Sequence, residues 1–243
     1  AEKYLKEKGL AAVEKRASRA TSEGIIVVKT ADSKAVMAEL TCETDFVAKN
    51  ADFIAVGDKI AETALAKGYT DVQQELSDMV LDLATRVREN MGLQRLTTVQ
   101  AGSDEYIAHY VHSDKKTGVI VMLKSDKSAV FTDKAFQEFA YDCCLHAAAF
   151  TPLYVKKEDV DAAYIDEQLE VFRGQVAELQ KPDNVKEGIV KGKLNKHLAE
   201  ICFLEQAFVK DDKVSVAAKM KEVGKPLGAN ISLSKLVLWQ LGQ

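Results

Sequence analysis

Four histidines and four cysteines are the side chains here best suited to covalent or metal chemistry. Cys143 and His146 stand three apart, on one face of an expected helix, a spacing that could start a metal site or pair a thiol with a base. No further Cys or His is placed to complete a metal site. Neighbouring helical residues do not set up attack geometry, and no glycine loop near them could hold an oxyanion. A packed helix face suits the pair better, with a small hydrolase as the sharper alternative. His109 and His112 are also three apart, but in an expected strand, which sends them to opposite faces. No Walker-type loop and no GxGxxG occurs, so the chain is expected to bind no nucleotide itself. The lysines at 156, 157, 191, 193 and 196 read as solvated faces. The expectation is a protein that is not an enzyme, with no metal and no cofactor.

A different kind of chemistry stands at Thr44-Asp45-Phe46-Val47, where a carboxylate adjoins an aromatic ring. Val36, Ala38 and Leu40 alternate as a strand does, and Asp52 onward reads as helix, so these four residues form a strand-to-helix corner. A strand would send Asp45 and Phe46 to opposite faces, whereas a corner can present both in one direction. Two readings stand. In one, Asp45 caps a short turn and Phe46 packs into the core. In the other, the corner is an exposed tip that pushes into a partner.

The elements that must position this corner are legible in order. Ala1 to Ala20 reads as helix, with Tyr4, Leu5, Leu10 and Val13 as its larger apolar residues and Gly9 as a possible break. Gly24 to Thr30 and Ala35 to Thr41 are strands joined by the turn Ala31-Asp32-Ser33-Lys34. A helix follows from Asp52 to Ala66, then a second from Asp71 to Met91, stopped by Gly92, then a strand from Leu93 to Gln100. Tyr106 to His112, a polar turn, Thr117 to Lys124 and a helix from Asp133 to Ala149 repeat the hairpin-plus-helix order. The second copy has Ser128-Ala129-Val130-Phe131 where the first has Asp-Phe. An Asp-Phe needed only for folding should recur there, so its absence favours a functional role.

Residues 158–205 read as a protruding antiparallel helical hairpin broken at Lys181-Pro182-Asp183-Asn184. Gly174, Gly188 and Gly192 each cost a helix roughly 1 kcal/mol against Ala, and close helix–helix approach would explain them. Phe208-Val209 precede a Lys210–Lys213 turn, a helix from Val214 to Val223, and a closing strand from Ile231 to Leu241 that holds Trp239. Hairpins keep neighbouring strands antiparallel, so the class is α+β: two tandem hairpin-plus-helix subdomains, antiparallel sheets packed by helices, and the protruding hairpin.

With 47% hydrophobic and 29% charged residues and three prolines, the 243-residue chain reads as a soluble globular protein. Its net charge of -4 is evenly mixed, which argues against nucleic acid and anionic membranes as partners. No apolar run approaches the ~20 residues of a spanning helix, and no secretory signal is read. The cysteines (Cys42, Cys143, Cys144, Cys202) lack CxxC spacing, so reduced thiols in a cytoplasmic protein are expected.

The run Glu39-Leu40-Thr41-Cys42-Glu43-Thr44-Asp45-Phe46-Val47-Ala48-Lys49-Asn50 closely resembles the signature of the elongation factor Ts family. The resemblance extends over nearly the whole chain, with one departure: Thr41 stands where the family usually has Asn. It implies a guanine-nucleotide exchange factor of protein biosynthesis whose partner is the translation GTPase elongation factor Tu. By resemblance, Thr44, Asp45, Phe46 and Val47 form the contact tip, His112 touches the GTPase near its nucleotide domain, and Phe208 and Val209 lie near another of its domains. The residues alone equally allow His112 as an exposed turn-edge histidine and Phe208-Val209 as core. The family also carries a core of two related halves and a coiled-coil excursion where the helical hairpin stands. The domains expected are thus 1–21, the remnant of an N-terminal helical module and linker; 22–103, the N-subdomain of the core; 104–157 with 206–243, its C-subdomain; and 158–205, a coiled-coil hairpin of dimerisation type. The family's N-terminal signature is absent, and a trimmed module is the expectation. The alternative function is a structural interaction module that binds the GTPase, or a second copy through the hairpin, without exchange activity.

Overall fold

A computed structural model describes residues 13–243. The expected N-terminal helix falls largely outside them, Tyr4, Leu5, Gly9 and Leu10 included. Within them, helix geometry covers only Val13 and Glu14 and then gives way to tight turns. The expectation of helix to Ala20 is corrected. The amides of Arg16, Ala17 and Arg19 bond carbonyls three residues back, at 2.9, 3.2 and 2.9 Å, which makes tight turns rather than an α-helical ladder. The Asn90 side-chain amide fastens these turns by donating to the carbonyls of Ala17 and Arg19 at 3.3 and 2.7 Å.

Strands β1 (Glu23–Ala31) and β2 (Lys34–Cys42) form a hairpin closed by Asp32 and Ser33, with Asp32 in the left-handed region at φ 51°. Strand β3 (Met91–Gln100) adds antiparallel to β2. Strands β4 (Glu105–Val111) and β5 (Thr117–Ser125) form the second hairpin, and β8 (Ile231–Gln240) joins β5. Two three-stranded antiparallel sheets result, in the orders β1-β2-β3 and β4-β5-β8.

Period-two alternation gives each strand of the first hairpin two buried faces. Ile25, Val27, Val36, Ala38 and Leu40 face a helical layer. Their neighbours Ile26, Val28, Ala35 and Met37 face Ile120, Val237 and Trp239 of the second sheet. The order is therefore helices, sheet, sheet, helices, with an apolar seam between the sheets. Gly118 marks a close approach, since a Cβ there would stand 2.5 Å from Cγ2 of Ile26. An ion pair closes one end of the seam. Buried Glu39 takes the Arg95 guanidinium at 2.6 Å and the Gly242 amide at 3.1 Å. Arg95 also donates to the Gln240 carbonyl and lies over the Trp239 ring at 4.2 Å.

The helices on the first sheet are the single turn α1 (Asp45–Ala48), α2 (Ala51–Lys67) and α3 (Gln74–Val87). α3 is shorter than the sequence suggests. Arg88 takes a left-handed conformation at φ 65° and ends the helix, so Met91 pairs with Cys42 in the sheet and Gly92 lies inside β3. Strand pairing outweighs the helical period there. α4 (Lys134–Phe150) covers the second sheet, capped by the Asp133 carboxylate.

The helical hairpin consists of α5 (Ala162–Val176) and α6 (Asp183–Ile201). α5 ends at Val176, well before Pro182, and Pro182 stands at the position just before α6, with no side-chain capping bond. Gly174, Gly188 and Gly192 meet nothing within 4 Å of a built Cβ, so close helix–helix approach does not explain them. Short strands β6 (Ala207–Phe208) and β7 (Asp211–Ser215) follow. Val214 belongs to β7 rather than to a helix, because the Ser215 hydroxyl caps α7 (Val216–Leu227) by accepting from the Ala218 amide.

Candidate docking site

The corner after β2 is built from its backbone groups outward. Thr44, extended at φ −122°, is the N-cap of α1, and its hydroxyl accepts from the Val47 amide at 3.4 Å. The cap is therefore Thr44 rather than Asp45, which is the first residue of the turn. Its carboxylate turns to Lys49 one turn on, 2.7 Å away. The hydrogen bond from Lys49, and then its charge, hold the Asp45 carboxyl below its ordinary range. Asn50 caps α2 by accepting from the Asp52 amide at 2.8 Å.

Burial beneath the corner fixes what stands above it. Val47, Ala48 and Phe53 sink into the helix-side core, while the Phe46 ring is 84% exposed. The reading that packs Phe46 into the core is excluded. Val47, expected as a contact, is 8% exposed and serves as the anchor of the turn instead. The Cys42 thiol donates to the Thr44 carbonyl at 3.2 Å. Burial, with the charges of Glu89 and Glu23 behind it, pushes that thiol up to about 12.

Two glutamates tie the corner to the α3–β3 connection. Glu89 accepts from the Thr44 amide at 3.1 Å and from the Thr44 hydroxyl at 2.7 Å. Glu43 accepts from the Asn90 amide at 2.5 Å. Sequence reasoning missed Glu89 and Asn90. The signal available was a polar pair directly after an amphipathic helix.

The fold also brings the β4–β5 turn to the corner. A groove of about 590 Å³ runs between them, lined by Gly24, Asp45, Lys49, Ile54, Asp114 and Lys116. Lys116 pairs with Glu23 at 2.7 Å, and the Lys115 carbonyl accepts from the Ile26 amide at 2.7 Å. His112 lies one residue past β4 at the base of this turn, exposed, with Nδ1 2.8 Å from the Tyr110 hydroxyl. It is a turn residue, so the strand alternation that sets it opposite His109 does not apply.

Phe208 and Val209 lie elsewhere, against α4. Phe208 is 2% exposed, packed on Phe139 and His146, and is corrected from contact to core. Val209 is 37% exposed at the β6–β7 turn, and its amide donates to Nδ1 of His146 at 3.1 Å. Because Nδ1 accepts there, Nε2 carries the proton and donates to Gln206 Oε1 at 2.9 Å. Burial holds the His146 pKa down. Burial also raises the Cys143 thiol well above its ordinary value, and both nitrogens of His146 are engaged elsewhere, so the two do not form a nucleophile and base. Among the described residues, no three His, Cys, Asp or Glu side chains are grouped to hold a metal ion. Among the same residues, no helix is long and apolar enough to cross a membrane.

The arrangement offers an exposed aromatic ring beside an ionised carboxylate, with a basic turn next to them. The family profile described as Elongation factor TS matches residues 43–243. The chain is 74% identical over 242 residues to an Elongation factor Ts of Treponema denticola, covering 100% of this chain and 86% of that protein. It is 58% identical over 253 residues to one of Treponema pallidum and 38% identical over 245 residues to one of Borrelia recurrentis. Each of those matches covers 100% of this chain and 87% of the relative.

Proposed function

The chain belongs to the elongation factor Ts family, and from that premise we propose that it binds the GTPase elongation factor Tu and promotes GDP release during translation elongation in the cytoplasm. The observation that carries this reading is the Phe46 ring, exposed at the head of a turn whose other apolar residues are buried. Phe46 enters an apolar cleft between two helices of the GTPase nucleotide domain, and full burial of such a ring is worth ~1.5–3 kcal/mol. Asp45, held ionised by Lys49, disturbs the hydrogen bonds that support the magnesium and phosphate loop. Losing the ion's coordination leaves the diphosphate poorly neutralised, and GDP departs.

Tenfold faster release requires ~1.4 kcal/mol, so the ring supplies one or two decades. His112 and Val209, both exposed, are the further contacts of this reading, with residues 22–103 and 104–157 plus 206–243 as the two core subdomains. Linkage makes the effect reciprocal: whatever weakening the factor imposes on GDP, GDP imposes on the factor. No covalent step is involved.

The test is release of a fluorescent GDP analogue from elongation factor Tu with and without this protein. Acceleration that vanishes when Asp45→Ala and Phe46→Ala are combined is the expected result. Stable complex formation without acceleration would favour the second reading, an interaction module. Val171, Leu179 and Val185, exposed on and beside the helical hairpin, support pairing there with a second copy. Concentration-dependent sedimentation of Val171→Lys against the parent would decide that point.

A further inference from the structure

A single helical turn does not hold its own shape in water, because one hydrogen bond cannot offset the order it demands. α1 has four residues, and the Phe46 ring at its head is almost free of contacts. The direction of that ring must therefore be set from outside the turn. Val47 and Ala48 anchor it from below, but burial of two small side chains on one side of the turn leaves rotation about the chain leading into it.

We propose that Glu89 is the positioning residue of the tip. Arg88, left-handed at φ 65°, reverses the chain after α3 and aims Glu89 back at the corner. Both carboxylate oxygens then engage one residue: Oε2 the Thr44 amide, Oε1 the Thr44 hydroxyl. Thr44 is the N-cap, so fixing its amide and its χ1 fixes the first backbone groups of α1 and with them the exit vector of Phe46. The bonds are charge-assisted, stronger than neutral ones. The tie is reciprocal, for Glu43 beside Thr44 accepts from the amide of Asn90 beside Glu89. Asn90 in turn holds the carbonyl of Arg19, so the chain entering β1 is fastened to the same latch.

The inference rests on the exchange reading, and its test separates the two. Amide hydrogen exchange at Thr44 is measured by NMR in the free protein for the parent, Glu89→Ala and Glu89→Gln, alongside GDP-analogue release at rising factor concentration. In Glu89→Ala the Thr44 amide should exchange at least tenfold faster while amides of β1 and β2 away from the corner keep their protection. The saturating release rate should fall several-fold with little change in the half-saturating concentration. Glu89→Gln keeps one acceptor and should recover part of both effects, and it serves if the alanine variant does not fold. Unchanged Thr44 protection in both variants overturns the inference. Faster Thr44 exchange with an unchanged saturating rate also overturns it, and leaves the exchange reading standing. If the parent itself fails to accelerate release, the exchange reading falls and takes the role of Glu89 with it.

Discussion

Phe46 and Val47 are consecutive residues of one helical turn, yet the first is 84% exposed and the second 8%. Neighbouring helical positions differ by about 100° around the axis. A turn lying on a sheet edge can therefore bury one and present the other. Phe46→Ala removes no core contact, so its effect on stability should stay within about 0.5 kcal/mol. Its effect on GDP release from elongation factor Tu should be tenfold or more at saturating factor, read by stopped-flow fluorescence. A melting shift as large as that of a core deletion would mean that the ring packs after all.

The inter-sheet seam predicts the opposite behaviour for Gly118. Adding one carbon there forces Ile26 aside in a packed core, at a cost of about 1–3 kcal/mol. Urea denaturation of Gly118→Ala should show a lower midpoint with an unchanged slope. A neutral result would mean that the two sheets separate easily.

The glycines of the helical hairpin face open space, so alanine meets nothing there. Gly188→Ala and Gly192→Ala should each stabilise α6 by roughly 0.5–1 kcal/mol through backbone entropy. Slower amide exchange along 183–201 would register it, and faster exchange would contradict the hairpin geometry.

His146 carries a pH dependence whose sign follows from its contacts. Its folded pKa lies below the unfolded value of about 6.5, because burial disfavours the imidazolium and Nδ1 is occupied by the Val209 amide. Between the two values the unfolded chain binds more protons. Stability from this group is complete above about pH 6.5 and is lost as pH falls toward the folded pKa. His146→Gln should flatten that acid slope in denaturant titrations, at a cost near neutral pH of about 1–3 kcal/mol from the unpaired Val209 amide. An unchanged slope would mean that other groups govern it.

All four cysteines are buried, and burial raises each thiol. Thiol reagents at pH 7.5 should therefore label none of them within minutes in the native protein and all four in denaturant. Rapid native labelling of Cys42 would show that the corner above it opens.

The local elements were written in the sequence, because strand alternation, turn residues and caps act over a few residues. The first hairpin, its turn at Ala31–Lys34, the helix that begins at Asp133 and the signature at 39–50 all lie within that range. The element ends that sequence misjudged answer to distant partners. Met91 joins a strand because Cys42 is there to pair with it, and the turns over residues 15–19 are fastened to the side chain of Asn90, some seventy residues on. Sidedness at the site was equally a matter of tertiary structure. Phe46, Val47, Phe208 and Val209 are four apolar residues of similar hydrophobicity, and nothing local says which of them reach solvent. Packing decided that: the core took Val47 and Phe208 and left Phe46 and Val209 outside. The grip of Glu89 on Thr44 spans 45 residues, so only the folded chain could bring the two together.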